Sequence, residues 1–331
     1  MHALAGLPDK VLGVIRAAAV VEYATMSSAG VPIDTPTLCF PADDLSSLDV
    51  GTGLAYPAKA DRARRNPKVG LLVEGLPGEP VVSVAGKAFI RDRDFQANLD
   101  RYLAETAYWM PGAPPWQEAR KAVWYWTRII VQVAPVTLRW WDSEAAMDGP
   151  PHIWHAPPSK LVSDPAPSGK PSPVPPWPQP AWEAHARAIM ATGAPGHLTL
   201  ADDDGYPLPI RAREVTITPT GFDLDIPAAA PWRRAGKATL SFQGRAIFVG
   251  DVWDSGGIVR FNVARVLPVL PFVGTQELWN PSPATLDTMM DRLRYELERR
   301  ALPLPTSPDE LPPATAGARL RMEGLAAKAR T

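Results

Sequence analysis

A proline-rich segment near the middle of the chain constrains the fold more than any other feature. It holds 12 prolines in the 35 residues from Ala146 to Pro180. Proline fixes φ and lacks a backbone N–H, so this composition offers few donors and favours extended polyproline conformation. The chain has 331 residues, about enough for two domains of ordinary size. We therefore interpret residues 146–180 as a linker between a first domain, residues 1–145, and a second domain, residues 181–303.

The first half has the pattern of a short helix followed by several strands. Val11, Val14 and Ile15 recur at helical spacing. Short β-rich runs separated by Gly, Pro and Asp/Ser turns follow at residues 22–26, 33–40, 48–52, 69–73 and 81–90. A helical pair is inserted before a last strand at residues 128–141. This order predicts a small antiparallel barrel or sandwich.

A similar order of elements recurs in shorter form after the linker. ATMSSAGVPI in the first half corresponds to LTLADDDGYPL in the second, and NPKVGLLVEG corresponds to AGKATLSFQG. Near the end, Ser282 and Pro283 provide an N-cap and a proline at the first position of a predicted C-terminal helix. Beyond Pro303 the sequence becomes polar and rich in Pro and Ala, so residues 304–331 are expected to form a poorly ordered tail.

The composition excludes several classes of partner. The hydrophobic fraction of 46% is enough to fill two cores. A net charge of −1 gives no overall field to attract nucleic acid or an anionic membrane, and no run reaches the roughly 18 apolar residues of a membrane span. The single cysteine, Cys39, cannot form an internal disulfide, and the N-terminus lacks a signal-peptide pattern. We expect a cytoplasmic protein that acts on a small molecule.

A basic segment carries the clearest chemical signal. In SLDVGTGLAYPAKADRARRNPKVGLLV, a strand and a turn precede a helical piece with Lys59, Arg62, Arg64 and Arg65. Backbone N–H groups at a helix N-terminus and a lysine can together neutralise a phosphate. The alternative is that the four basic residues form an ordinary solvated helix face. Charge alone does not decide between the two.

Four pieces in this region resemble the FMN-binding split-barrel family that includes pyridoxamine 5′-phosphate oxidase. They are Gly30-Val31-Pro32, the strand Thr35 to Phe40, the turn Pro57-Ala58-Lys59, and Asn66-Pro67-Lys68-Val69. The resemblance covers residues 10–141 and, more weakly, residues 182–275. It implies a mainly β (α+β) fold of two tandem split β-barrels with peripheral helices and a C-terminal helix, the second barrel being degenerate. It also implies an FMN-dependent oxidoreductase with a small organic substrate.

The resemblance further implies which residues bind the cofactor. Lys59 falls on the lysine that grips the phosphate, Thr52 lies near a position that contacts the phosphate or ribityl chain, and Tyr56 is placed to line the ring. LRWWD resembles the family strand that ends in a tryptophan at the flavin, although core packing is the commoner fate of tryptophan. The full set is Thr37, Thr52, Tyr56, Lys59, Arg62, Trp140 and Trp141. No catalytic residue is identified, because the flavin supplies the chemistry in such enzymes.

Departures from the family pattern leave other functions open. Ala58 replaces an arginine of the phosphate turn, and DSEAAMDG follows Trp141 where the oxidase has an Arg-x-His motif for its vitamin substrate. Vitamin B6 oxidation is therefore not expected. One alternative is a deazaflavin-dependent reductase whose longer acidic cofactor tail lies near Arg62, Arg64 and Arg65. Another is a non-catalytic flavin- or haem-binding protein.

The haem alternative depends on a histidine pair, and the oligomeric state depends on the family arrangement. His152 and His155 have i, i+3 spacing in the linker, but no Cys or carboxylate pair accompanies them, so no metal site is predicted. In the family the cofactor usually lies between two barrels of a homodimer. A fused pair is therefore expected to form an internal pseudo-dimer, with a homodimer of chains also possible.

Overall fold

The computed structural model describes residue 4 and residues 6–108, 113–175, 179–268 and 278–328. The helices within these ranges are α1 (Asp9–Ala17), α2 (Ala58–Arg65), α3 (Phe95–Thr106), α4 (Trp116–Ala119), α5 (Val123–Trp126), α6 (Trp182–Met190), α7 (Pro283–Arg300) and α8 (Ala316–Lys328). None of these described helices combines the length and the apolar character that a membrane crossing requires.

The strands divide between two sheets. Those of the first are β1 (Val20–Met26), β2 (Pro32–Pro41), β3 (Leu48–Gly53), β4 (Lys68–Glu74), β5 (Val81–Arg91), β6 (Arg128–Trp141) and β7 (His152–His155). Those of the second are β8 (His197–Ala201), β9 (Pro207–Arg211), β10 (Glu214–Thr218), β11 (Gly221–Asp225), β12 (Gly236–Phe242), β13 (Ala246–Ser255) and β14 (Ile258–Val266).

The first sheet closes on itself to form a barrel. Its strand order is β3-β2-β1-β4-β5-β6, each neighbour is antiparallel, and β6 pairs with β3 as well as with β5. The closing register pairs Thr52 with Ile129 and Gly53 with Arg128. Closure removes the exposed strand edges that an open sheet would leave. β7, from the proline-rich segment, adds a further strand beside β6.

The second sheet keeps much of the same pairing order but stays open. Its order is β10-β11-β14-β13-β12-β8-β9, in which β9-β8-β12-β13-β14 matches β2-β1-β4-β5-β6 of the barrel. Within the described ranges, β9 and β10 share no ladder, so this sheet forms a half-barrel. A barrel followed by a half-barrel with added helices confirms the fold class predicted from the sequence.

The barrel and the half-barrel share a continuous core. Leu72, Val81 and Trp141 from the first half belong to the same buried cluster as the apolar residues of the second sheet. The backbones approach closely at Gly70 on β4, where an added Cβ would lie 1.7 Å from the carbonyl oxygen of Pro207 on β9. The interface between the sheets is therefore packed as a domain interior is.

A buried ionic cluster lies at the same interface. His197 of β8 places Nε2 3.1 Å from Oε2 of Glu74 and Nδ1 3.5 Å from Oε1 of Glu22. Burial opposes the charge on the imidazole, but the carboxyls of Glu22, Glu74 and Asp34 outweigh it and raise the pKa of His197 to about 9. Burial, with the neighbouring charge of Glu22, raises the pKa of Asp34 well above its usual range. The cluster joins β1, β2 and β4 to β8.

The C-terminal helix α7 packs on the first barrel, whereas the sequence placed it in the second domain, residues 181–303. Its apolar side chains Met289, Leu293 and Leu297 are buried in the barrel's cluster. At its end, Arg300 forms a buried ion pair with Asp92, at 3.0 Å. Amphipathic spacing shows that one face of a helix is buried, but it does not show against which domain.

The segment expected to be a poorly ordered tail, residues 304–331, contains the helix α8. Ala318 and Arg321 are buried, and the Arg321 guanidinium pairs with Glu105 of α3. Gly324 lies so close to α1 that an added Cβ would be 2.9 Å from the carbonyl oxygen of Ala17. Small residues and one ion pair hold this helix in place. Neither contact can be recognised from the polar composition of the segment.

The proline-rich segment runs along the first barrel. Ser163 Oγ accepts a hydrogen bond from the backbone N–H of Ile90, at 3.0 Å. The carboxylate of Asp164 accepts one from the N–H of Asp92, at 2.8 Å. Further on, the N–H of Ser172 donates to Glu296 of α7, at 2.6 Å. Polar side chains of this segment and of α7 thus accept hydrogen bonds from backbone N–H groups and hold the segment in place.

Candidate cofactor-binding site

A cavity of about 440 Å³ lies beside β2, β3 and the start of α2. Pockets of a few hundred Å³ are the usual size of small-molecule sites. Five of the seven residues that the sequence predicts for the cofactor line this cavity: Thr37, Thr52, Tyr56, Lys59 and Arg62. The structure therefore brings together residues from two strands, a turn and a helix.

Only two of the four basic residues of helix α2 line the cavity. Lys59 and Arg62 are three residues apart, hence on one face of the helix, and both line the cavity. Arg64 instead donates to Asp92, at 2.8 Å, and Arg65 is exposed. The first backbone N–H groups of α2 have no partner within the helix and give this end partial positive charge. Lys59 and Arg62 therefore lie where the phosphate interpretation expects them, whereas Arg64 and Arg65 do not line the cavity.

The electrostatics of the cavity favour an anion. Lys59 Nζ donates to Thr37 Oγ1, at 3.2 Å. Burial, together with the charges of Arg62 and Arg128, lowers the pKa of Lys59 to about 8. Burial also lowers the pKa of Arg62 to about 10. Among the described residues that line the cavity there is no carboxylate. These cations lie together without a lining counter-charge, and a bound anion would relieve their repulsion.

The inner wall carries an arginine enclosed by tyrosines. The Arg128 guanidinium carbon lies 3.8 Å from the ring centroid of Tyr125 and 4.6 Å from that of Tyr102, within cation–π range. Its Nη1 donates to the Tyr56 hydroxyl, at 3.1 Å. All four residues line the cavity. The planar cation is therefore held rigidly by aromatic rings.

Glycines of β3 make room for these rings. An added Cβ at Gly51 would lie 2.8 Å from Cε2 of Tyr102, and one at Gly53 would lie 2.4 Å from Cζ of Tyr56. Between them Thr52 is buried, and within the described part of the chain its hydroxyl has no hydrogen-bond partner. The glycines on either side of Thr52 thus leave room for two aromatic rings.

The second half completes the wall. Gly244, Ile247 and Leu267, from the end of β12 to the end of β14, also line the cavity. Gly244 approaches β2 so closely that an added Cβ would lie 2.9 Å from Cδ of Pro36. The cavity is therefore enclosed by both halves of the chain.

The two predicted tryptophans, Trp140 and Trp141, lie outside this cavity. Trp140 stacks on His152, with ring centroids 5.0 Å apart and an interplanar angle of 18°. Trp141 donates from Nε1 to the carbonyl of Gly149, at 3.0 Å, and packs in the shared core. Neither lines the cavity. Both tryptophans serve packing, the commoner role of this residue.

The histidine pair is also remote from the cavity. His152 and His155 are exposed on β7, and His155 Nδ1 lies 3.2 Å from Thr137 Oγ1. Neither belongs to the cavity wall. Within the described ranges there is no cluster of three or more His, Cys, Asp or Glu side chains suited to a metal ion.

Several lining residues were not identified from the sequence. Arg128 had a usable signal, since it stands alone between the aromatic run of α5 and the apolar strand β6. Tyr102 and Arg292 gave none, because they reach the cavity from distant helices. Arg292 donates from Nε to the carbonyl of Ala55, at 2.6 Å, and also to the carbonyl of Pro173. It ties α7 to the connection that precedes α2.

Comparisons with known proteins give similar solved structures. No protein-family model and no curated protein sequence matches the chain. A pyridoxamine 5′-phosphate oxidase-related, FMN-binding protein from Nostoc punctiforme is 16% identical, with 47% of this chain and 93% of that chain covered and a TM-score of 0.35. General Stress Protein 26 from Bacillus anthracis is 17% identical, with 44% and 96% covered and a TM-score of 0.32. A FAD-binding protein from Mesorhizobium loti is 19% identical, with 40% and 93% covered and a TM-score of 0.29. The chain is thus similar to these proteins over less than half of its length.

Proposed function

We propose that the cavity binds a flavin of the FMN type and that the protein is an FMN-dependent oxidoreductase acting on a small organic molecule. The observation that supports this most is the meeting of Lys59, Arg62 and Thr37 in an aromatic-walled cavity whose described lining has no carboxylate. The resemblance of residues 10–141 to the FMN-binding split-barrel pattern implies the same three residues as cofactor-binding.

The donor set fits the two parts of FMN. Lys59 and Arg62, with the Thr37 hydroxyl, would hold the phosphate. The buried hydroxyl of Thr52, which lacks a partner in the described ranges, would receive a hydrogen bond from the ribityl chain or donate one to it. Tyr56 and the apolar side chains from the second sheet would line the ring. The phosphate and the ribityl chain thus each have a group of the chain that can bind them.

The reacting part of the site is the cofactor itself. When bound, a flavin supplies hydride or electron transfer. The chain's contribution is to position the ligand and to exclude water, because residues from the barrel and from the half-barrel enclose the same cavity. We propose that the two halves act as an internal pseudo-dimer around one cofactor.

One contact favours FMN over a deazaflavin coenzyme. The longer acidic tail of a deazaflavin would need the basic residues beyond Arg62. Arg64 is already paired with Asp92 and also donates to the carbonyl of Asp164, at 2.6 Å. Arg64 is therefore not available to a longer acidic tail.

We expect Lys59→Ala to weaken FMN binding by about 30- to 100-fold. A hydrogen-bonded ion pair in a partly buried site contributes about 2–3 kcal/mol, and 1.4 kcal/mol corresponds to a tenfold change. Titration of FMN fluorescence with protein measures the dissociation constant. Riboflavin, which has the same ring without the phosphate, should bind both proteins equally.

The matched control is Lys10→Ala. Lys10 is exposed and pairs on the surface with Asp142, at 2.7 Å, so its removal should leave FMN affinity unchanged. Full FMN affinity in folded Lys59→Ala protein would contradict the phosphate assignment. Failure of the wild-type chain to bind FMN at all would contradict the proposed function.

FMN affinity should also fall as the pH rises through about 8. The pKa of Lys59 is about 8, so above this pH the lysine of the free protein loses the proton that a phosphate needs. Between about pH 7 and about pH 9 we expect a loss of about tenfold, since each pH unit above the pKa removes a factor of ten. The same fluorescence titration measures it. Lys59→Arg should flatten the profile, because arginine stays protonated.

A further inference from the structure

Arg128 is a buried cation with unused hydrogen-bond donors. Its side chain is 3% exposed, and its Nη1 donates to the Tyr56 hydroxyl. Within the described part of the chain, Nε and Nη2 form no hydrogen bond, and the cavity lining around the guanidinium includes no carboxylate. Burying an unpaired charge is unfavourable. An anion that enters the cavity would satisfy it.

The free donors have a defined geometry. Nε and Nη2 share one edge of the planar guanidinium, where their N–H groups run parallel and match the two oxygens of a carboxylate. The guanidinium carbon lies over the rings of Tyr102 and Tyr125. The Nε/Nη2 edge is the part of the guanidinium that is buried without a hydrogen-bond partner among the described residues.

The anion at Arg128 differs from the one at Lys59. FMN has one phosphate, which the proposed function assigns to Lys59, Arg62 and Thr37, and we assign the anion at Arg128 to another molecule. Arg128 offers one positive charge and two coplanar donors among aromatic side chains, which suits a planar monoanion better than a phosphate dianion. The substrate is therefore the remaining source of the charge.

We propose that Arg128 binds the carboxylate of the substrate, and that the substrate class is small organic carboxylates with a planar or aromatic body. This inference rests on the proposed function, in which the cofactor fills the Lys59 end. Arg128 acts as a positioning residue: it orients the substrate, and its pairing with Tyr56 and two further tyrosines fixes that orientation. It takes no part in bond making.

Benzoate and its uncharged counterpart benzamide test the proposal. Calorimetric titration of the full-length chain, with and without saturating FMN, should show benzoate binding at least about 30-fold more tightly than benzamide, which is about 2 kcal/mol for a bidentate charged pair. Arg128→Gln should abolish this preference and weaken FMN binding far less than Lys59→Ala does. Arg128→Lys, which keeps the charge but loses the parallel donors, should retain only part of it.

Each outcome has a distinct meaning. Equal binding of benzoate and benzamide to the wild-type chain overturns the proposal. So does a loss of FMN affinity in Arg128→Gln as large as that in Lys59→Ala, because Arg128 would then serve the cofactor. If Arg128→Gln does not fold, a protected arginine Nε–H resonance of the wild-type chain that shifts with benzoate but not with benzamide supports the proposal, and its absence rejects it. If the chain binds no FMN, the proposed function fails, and the benzoate comparison on FMN-free protein still tests Arg128.

Discussion

Replacing Gly70 with alanine is expected to lower the free energy of unfolding by about 3 kcal/mol or more. The new Cβ would lie 1.7 Å from the carbonyl oxygen and 2.8 Å from the carbonyl carbon of Pro207. Both are backbone atoms, so no side-chain rotation relieves the overlap, and β4 and β9 must separate. Urea unfolding of both proteins measures the difference.

Gly13→Ala is the matched control for this change. Gly13 lies in α1, and an added Cβ there has no heavy atom within 4 Å. The same substitution should stabilise the protein by about 0.5–1 kcal/mol, because alanine favours the helix. A Gly70→Ala protein as stable as the wild type would show that β4 and β9 do not meet as the structure has them. Since the second sheet supplies part of the cavity wall, Gly70→Ala should also weaken FMN binding.

Replacing His197 with glutamine should destabilise the protein by about 3–5 kcal/mol near pH 6.5, because it leaves buried carboxylates without their cation. It should also remove a dependence of stability on pH. The pKa of His197 is about 9 in the folded chain and about 6.5 when unfolded. Its contribution is therefore complete below about pH 6.5 and is lost as the pH rises through 9, a change of about 3 kcal/mol.

Urea unfolding at about pH 6.5 and about pH 9.5 measures this contribution as the difference between wild type and variant. Burial raises the pKa values of Glu22 and Asp34, so the stability that these two groups contribute also falls as the pH rises, but at lower pH. The lowered pKa of Lys59 acts in the opposite direction near pH 8, and it cancels in the comparison because both proteins keep it. His155→Gln, at an exposed position of β7, is the matched control and should leave the pH dependence as it is in the wild type. An unchanged dependence in His197→Gln would rule out the ionic cluster as its source.

The site residues that could be predicted from the sequence are those that are close along the chain. Thr52, Tyr56, Lys59 and Arg62 follow one another from β3 into α2, so a short motif is enough to place them together. Thr37 joins them because β2 pairs directly with β3. Their closeness along the chain, or on paired strands, places these five residues near one another, and all five line one cavity.

Residues that depend on distant packing were not predictable. Trp140 and Trp141 have the composition of a ring-binding pair, but whether a tryptophan meets a ligand or a core depends on which element lies opposite. Arg128 faces the cavity because the barrel closes between β6 and β3, and no local pattern encodes that closure. The packing of α7 on the first barrel was not predictable for the same reason, since an apolar stripe does not show which barrel it covers.

The position of α7 also affects how the protein is made. Its side chains Met289, Leu293 and Leu297 cover apolar surface of the barrel, yet residues 283–300 leave the ribosome after both sheets. During synthesis the apolar surface that α7 covers on the first barrel is therefore exposed while the half-barrel is translated. Such a patch is where a nascent chain is most prone to aggregate or to recruit a chaperone.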